Sequence, residues 1–516
     1  MTPRWDGRVP AFMLFPSVCF ILAFCVTAAG GMDAGGDPSE IVGSQPLLAE
    51  DGSRSFKGGR AMVILNESVS EAILTQLSEY GTVHGWVGRY RMVAMTPHGR
   101  DVGGIRDLSY VRTLEKDRER HLDDVGTWDR DMIDVTDVEE SGIVGDPDAR
   151  EVDETGAGVH VAVIDSGLIQ NWRDVVPEER VAVELARAIM GGGAVAEDFV
   201  PANDFKTSNP TNLWERDTSS HGTAVASHVI GFRVGSLLVD GVAPGARLIP
   251  LKVFPNGESA TWSSQIIAAI GYVQDLVENG MIGPAVINMS LGSSLPNTLE
   301  ETAINSAIAS GIVLVASAGN RGENGVGFPG GYRQMISVGA VGWTEQLRPG
   351  TAAAPNTAFW WSQDVLFDPD RGRGPFEESQ AYVATFSGRA IPSRGQQLDV
   401  LAPGRLNVAP GLHGPQTGLF FWSGTSFSSP LTAGVAALLL ERRPELGQVE
   451  VESLFKSTAL PMPSTDSREV LEFSGETTIS WDEDCNGVAC DPVGAGLLQA
   501  DDALAAVPKG KRVGQQ

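Results

Sequence analysis

Five apolar runs constrain this chain more than any other feature: Val159–Ile164, ARLIPLKVF (246–254), AVINMSLG (285–292), IVLVASAGN (312–320) and MISVGAV (335–341). Each is a short, continuous, β-branched-rich stretch of the kind that suits a strand buried on both faces. Between them lie segments with helical spacing, at Gly222–Gly231, Ser263–Glu278 and Thr298–Ser310. Strands that alternate with helices predict an α/β domain, a parallel sheet covered on both faces. Sites in such folds gather outside the carboxyl ends of the strands, where Asp165, Ser290 and Asn320 fall.

A second feature is SGTSFSSP (423–430), followed directly by the apolar run LTAGVAALLL. A small, Gly-flanked serine opening a helix presents its hydroxyl where unpaired backbone N–H groups stabilise negative charge. Ser426 is thus a candidate nucleophile, although on its own a Gly-Thr-Ser string is as well suited to capping a helix. Two further Gly-rich boundaries change its meaning: VHVAVIDSG ends in Asp165, and SSHGTAVASHV centres on His221. Carboxylate, imidazole and hydroxyl together supply the parts of nucleophilic acyl transfer, with Asn320 as a donor for the oxyanion.

Composition narrows the partners. The 516 residues carry 38 Lys+Arg against 65 Asp+Glu, a net charge of −27, which disfavours phosphate backbones and anionic membranes. No nucleic-acid partner is expected. At the N-terminus, Arg4 and Arg8 precede the apolar stretch Ala11–Val26 and the small-residue pattern Val26-Thr27-Ala28, so residues 1–29 read as an export signal, with a membrane anchor as the alternative. A secreted or extracytoplasmic location follows. Of four cysteines, Cys485 and Cys490 lie outside this segment and could close a short disulfide in an oxidising compartment.

Residues 30–57 are a Gly/Asp/Ser/Pro-rich linker. Residues 58–120 then show strand (61–65), amphipathic helix (69–80), strand (82–88), strand (91–97), helix (102–108) and strand (110–117), a small α+β unit. The charged stretch KDRERHLDDVGTW (116–128) is exposed in character and open to cleavage.

From Trp128 to Val507 the chain resembles the subtilisin-like serine proteases. The motifs are VIDSG for the aspartate, HGTAVAS for the histidine and SGTSFSSP for the serine, in that order. GVAPGARLIPLKV, INMSLGSS, VASAGN, VGAV, LAPG and GAGLLQADDAL support them. The resemblance implies a three-layer parallel-sheet peptidase domain over 128–507 with a tail at 508–516. Residues 58–120, ending in Val111–Asp117, are similar to the family's inhibitor propeptide. It also implies roles: Ser426 as nucleophile, His221 as general base and acid, Asp165 as the partner that orients the imidazole, and Asn320 as oxyanion donor, with Thr425 in support. Ser290, Leu291 and Gly292 would pair with an extended substrate, and Gly327 would leave room at the base of the pocket beside them.

A secreted, autoprocessed serine endopeptidase is the expectation, monomeric, with protein or peptide substrates and its own propeptide as inhibitor. The alternative is a catalytically silent relative that binds peptides in the same cleft. An esterase of the α/β-hydrolase type does not fit, since Ser426 lacks a Gly-x-Ser-x-Gly elbow and the chain order would be Ser, Asp, His. No cofactor is required. Ile230–Asp240 lacks the Asn-rich run with which many family members bind calcium. Asp482, Asp484, Asn486 and Gly487 match half of a calcium loop whose twelfth position is Val493 rather than Glu, so no clear metal site is expected. An insertion at 348–381 and Phe427, in place of the family's more usual Met, are further departures.

Overall fold

The computed structural model describes residues 61–87, 91–98, 103–116, 127–137, 149–150, 152–189, 193–195, 198–200, 210–234, 237–344, 346, 378–413, 416–472 and 475–508. The export signal, the linker, the charged stretch 117–126, nearly all of the 348–381 insertion and the tail beyond 508 lie outside the described residues. The described residues fall into two compact units, 61–116 and 127–508.

In the smaller unit, β1 (Ala61–Leu65), β2 (Gly81–Val87), β3 (Met92–Pro97) and β4 (Val111–Lys116) form an antiparallel sheet in the order β2-β3-β1-β4. Helix α1 (Glu71–Tyr80) starts two residues later than its apolar spacing predicts, because Ser70 caps it by accepting from the Ile73 N–H. The single-turn α2 (Gly103–Arg106) is shorter than the expected 102–108. Val63, Leu65, Ile73, Leu77, Val93, Met95 and Ile105 make this unit's own core.

The larger unit is built on an eight-stranded sheet. β5 (His160–Asp165) lies between β6 (Arg247–Lys252) and β7 (Ala285–Met289), and the row continues through β8 (Val313–Ser317) and β9 (Ile336–Trp343). β10 (Ala381–Val383) pairs antiparallel with the end of β9, β11 (Val400–Pro403) runs parallel to it, and the two-residue strand Arg187–Ala188 closes the other edge. Because the chain passes from β5 to β6 on one side and returns to β7 on the other, the winding reverses at β5, and Asp165 stands at that reversal.

Strand alternation divides the core into two. Val161, Val163, Val286, Val313 and Val315 pack toward α3 (His221–Ile230) and α6 (Thr425–Arg442). Ala162, Ile164, Ile287, Met289, Leu314 and Ala316 pack toward α4 (Ser263–Glu278) and α5 (Thr298–Ala309). Each fully buried Val, Ile or Leu contributes roughly 1.5–3 kcal/mol of transfer free energy, so both faces are strongly specified. Helix α6 is buried at every position from Phe427 to Leu440, which explains why its sequence reads as an unbroken apolar run without a polar stripe. A hairpin of β12 (Asn407–His413) and β13 (Gln416–Trp422) leads directly into it. Cys485 and Cys490 are disulfide-bonded across a small hairpin.

One gap in the ladder is filled by a side chain. β9 first pairs with β8 at Val315–Ile336, one residue beyond Leu314. The buried amide of Gln448, which opens α7 (Gln448–Thr458), takes the place of a strand there. It donates to the Leu314 and Gln334 carbonyls at 3.0 and 2.8 Å and accepts from the Leu314 N–H at 2.7 Å. Gln448→Ala strands these buried groups and is expected to cost about 3 kcal/mol, read as a lower urea midpoint at unchanged m-value.

Candidate active site

Asp165 ends β5 with 1% of its surface exposed. One carboxylate oxygen accepts the Ser166 N–H at 2.7 Å, and the two oxygens lie 2.8 and 3.0 Å from Nδ1 of His221. That contact requires β5 and α3 to meet almost backbone to backbone. Gly222, second in α3, makes it possible: a Cβ there would lie 2.4 Å from the Gly167 carbonyl oxygen.

The imidazole is 31% exposed on one side and packs at 5.5 Å between ring centroids against Phe427 on another. Burial pushes its pKa down, but the Asp165 charge, the Asp165 hydrogen bond and the charge of Asp217 outweigh that and leave His221 above its ordinary value. With Nδ1–H donating to Asp165, Nε2 is the nitrogen left to accept a proton.

Ser426 is the second residue of α6, in the first turn where backbone N–H groups have no helical acceptor. Its Oγ donates at 3.4 Å to the Ser290 carbonyl rather than to His221. The site therefore joins Asp165 to His221, while the serine hydroxyl is turned to the Ser290 carbonyl. Ser290 is held from the opposite direction: its Oγ donates to the Ser426 carbonyl at 2.7 Å and accepts from Asn288, whose Oδ1 in turn accepts from Ser429 at 2.6 Å.

Asn320 lies three residues beyond the end of β8. Its Oδ1 accepts from the Thr425 N–H at 2.8 Å and the Thr425 hydroxyl at 3.0 Å, while that hydroxyl accepts from Gly319 N–H at 3.0 Å. With Oδ1 so occupied, Nδ2 is directed to the mouth of α6, where it would sit 3.1 Å from any Cβ at position 424. Gly424 has φ 154° and no side chain to block it.

A cleft of about 530 Å³ opens beside these groups, lined by Asp165, His221, Ser290, Leu291, Gly292 and Phe328 among others. Ser293 and Phe328 exchange backbone hydrogen bonds at 2.7 and 2.9 Å, bracketing Gly292, whose missing side chain leaves the Phe328 carbonyl clear. Gly327 directly precedes the cleft-lining Phe328. It donates to the Ala318 carbonyl at 2.8 Å, and a Cβ would press on the Ser293 carbonyl at 3.1 Å.

Sequence reading missed a buried brace behind the aspartate. The Ser166 hydroxyl donates to Asp217 at 2.9 Å and accepts the Gly222 N–H at 2.8 Å, tying the end of β5 to the start of α3. Lys252, 1% exposed, donates to the Ser166 carbonyl at 2.6 Å. Burial raises Asp217 and lowers Lys252, and each opposes the other's shift by charge. The available signal was a lysine ending a strand whose preceding four residues, Leu248–Leu251, are apolar. Deeper still, His228 is fully buried, its Nδ1 2.7 Å from the Ala224 carbonyl, with Asn407 and Asp129 at 3.3 and 3.6 Å from Nε2. Burial brings it down to about 4.

Among the described residues no cluster of three or more His, Cys, Asp or Glu is arranged to hold a metal ion. Asp482 and Asp484, the half-match to a calcium loop, instead cap their own turn, accepting the Asp484 and Gly487 N–H groups at 3.1 and 2.6 Å. No described helix is long and apolar enough to cross a membrane.

Residues 156–479 match the family described as the subtilase family, peptidase S8. Subtilisin E of Bacillus subtilis (strain 168) is 33% identical over 309 residues, 59% of this chain and 61% of that protein. The chain thus spans about three fifths of subtilisin E. Subtilisin of Bacillus pumilus is 32% identical over 315 residues, 60% of this chain and 87% of that protein. The solved structure of sphericase is 22% identical and covers 74% of this chain and 99% of its own, with a TM-score of 0.48.

The two histidines should separate cleanly in a titration followed by ring NMR. His221 is expected to titrate above the ordinary 6.5 and to drop on Asp165→Asn, whereas His228 stays neutral until about 4. Since the unfolded chain takes up the His228 proton first, that residue makes folding stability fall as pH drops from about 6.5 toward 4.

Proposed function

The chain belongs to the subtilase family, and from that premise we propose that it is a secreted serine endopeptidase, made as a zymogen, that cleaves protein or peptide substrates through an acyl-enzyme. The observation that carries the reading is the Asp165–His221 contact at 2.8 Å beside a serine in the first turn of α6.

In this reading the substrate lies extended along Ser290–Gly292, with its scissile carbonyl over the start of α6. Ser426 Oγ rotates from the Ser290 carbonyl toward His221, attacks the carbonyl carbon, and its proton passes to Nε2. Asp165 keeps the imidazole in the tautomer that can accept that proton and stabilises the imidazolium that results. Negative charge gathers on the former carbonyl oxygen, where Nδ2 of Asn320 and the Ser426 N–H donate to it. Collapse expels the amine, which takes the proton back from His221. Water, deprotonated by the same imidazole, then releases the acyl group and restores the serine.

The brace of Ser166, Asp217 and Lys252 supports this by holding the strand end and the helix start at one separation, which is what orientation-dependent catalysis needs. Residues 61–116, with a core of their own, suit the part of an inhibitory propeptide that is removed by cleavage after it. No cofactor takes part in these steps.

A serine-directed phosphonate is expected to label Ser426 in the matured protein, and Ser426→Ala protein is expected to accumulate as an uncleaved precursor in a protease-free host. A wild-type chain that stays full-length and unlabelled would leave only the peptide-binding relative. Asn320→Ala is expected to lower kcat by about 10²–10³, a scale taken from the subtilisins rather than worked out from this chain, with a smaller change in KM.

A further inference from the structure

The cleft holds a buried carboxyl. Glu300, the third residue of α5, lines the same cavity as Asp165 and His221, yet its side chain is 4% exposed. The Ser263 hydroxyl, across the cleft at the start of α4, is the side chain that hydrogen-bonds to its carboxyl. Burial raises the Glu300 pKa, and this one hydrogen bond pulls the other way, the condition of a carboxyl that lacks a counter-charge.

The surroundings indicate what would supply one. Ile266, Leu291, Phe254 and Phe328 line the same cavity and make its walls largely apolar. Among the described residues no lysine or arginine lines the cavity, and a second carboxylate, exposed Glu258, is among its lining. Apolar walls together with a carboxylate match a side chain with a long methylene stem and a cationic head. A leucine or phenylalanine would fill the walls but leave the carboxyl desolvated and without a counter-charge.

On these grounds we propose that Glu300 is a specificity determinant, selecting substrates that place a lysine or arginine side chain beside its carboxyl; the inference rests on the peptidase reading above. A peptide extended along Ser290–Ser293 turns alternate side chains to opposite faces, so a single substrate position meets Glu300. A charge-assisted hydrogen bond in a site shielded from water should be worth about tenfold to a hundredfold in kcat/KM.

The test is hydrolysis of a peptide library in which each position on the acyl side of the cleaved bond is varied in turn, using the matured protein. A preference for Lys or Arg over Leu at one position, and a Glu or Asp rejected there, is expected. In Glu300→Gln the ratio of kcat/KM for the Arg and Leu peptides should fall at least tenfold. A wild-type enzyme that favours neutral side chains at every position, or an Arg preference unchanged in Glu300→Gln, would overturn the proposal. Binding of labelled Arg and Leu peptides to the Ser426→Ala protein, cut within residues 117–126 by an added protease and separated from the released N-terminal segment, gives a readout independent of chemistry. If wild type hydrolyses nothing but the Arg peptide binds more tightly and loses that advantage with Glu300→Gln, the peptidase reading fails and the recognition stands. Equal binding of the two peptides overturns the recognition.

Discussion

The site depends on a contact between two glycines. β5 ends and α3 begins so close together that a methyl group on Gly222 would lie 2.4 Å from the Gly167 oxygen and 3.1 Å from the Asp165 carboxylate. Only with hydrogen there can the imidazole at the head of the helix reach the carboxylate at the foot of the strand. Ser220, with φ 59°, makes the turn that aims the helix, and its hydroxyl accepts the Leu412 N–H from the β12–β13 hairpin. The histidine is thus oriented by backbone geometry on three sides before its own side chain makes any contact.

Around that contact, ionisable groups are buried at a density that would be costly without pairing. Asp165, Asp217 and Lys252 are each at most 4% exposed. Isolated, any of them would lose several kcal/mol to desolvation; as a set they leave one net negative charge facing an imidazole. This arrangement explains why His221 rises although burial alone would lower it; His228, two turns further along the same helix face, falls because its burial, with the Arg130 cation adding to it, outweighs the Asp129 charge. Two histidines seven residues apart on one helix are driven in opposite directions by what faces them.

Much of this was legible in the sequence because the relevant signals are local. The five apolar runs became strands since nothing but a two-sided burial accounts for Val-Ala-Val-Ile without interruption, and the three Gly-rich boundaries marked the chemistry since close backbone approach leaves glycine behind. Hairpin β12–β13 was not legible: Pro410, Gly411 and Gly418 break its alternation, and it forms because α3 and α6 give it a surface. Asp217, Glu300 and Gln448 were equally silent, for a polar residue at the end of an element looks the same whether it faces water or fills a gap in the core.

The amide of Gln448, standing in for a strand against β8, has a consequence for where the folding unit ends. Every group assigned to chemistry has been supplied by residue 426, yet the sheet is incomplete without α7. The chain then returns: Leu401 and Leu460 bond to the 496–497 backbone, Ala500 bonds to Ile133, and Arg442 joins Glu154 to the Leu504 carbonyl. The described residues from 448 to 508 are therefore the closing seam of the domain rather than an appendage. A polypeptide leaving a ribosome therefore carries Asp165, His221 and Ser426 well before it carries the segments that close the domain around them.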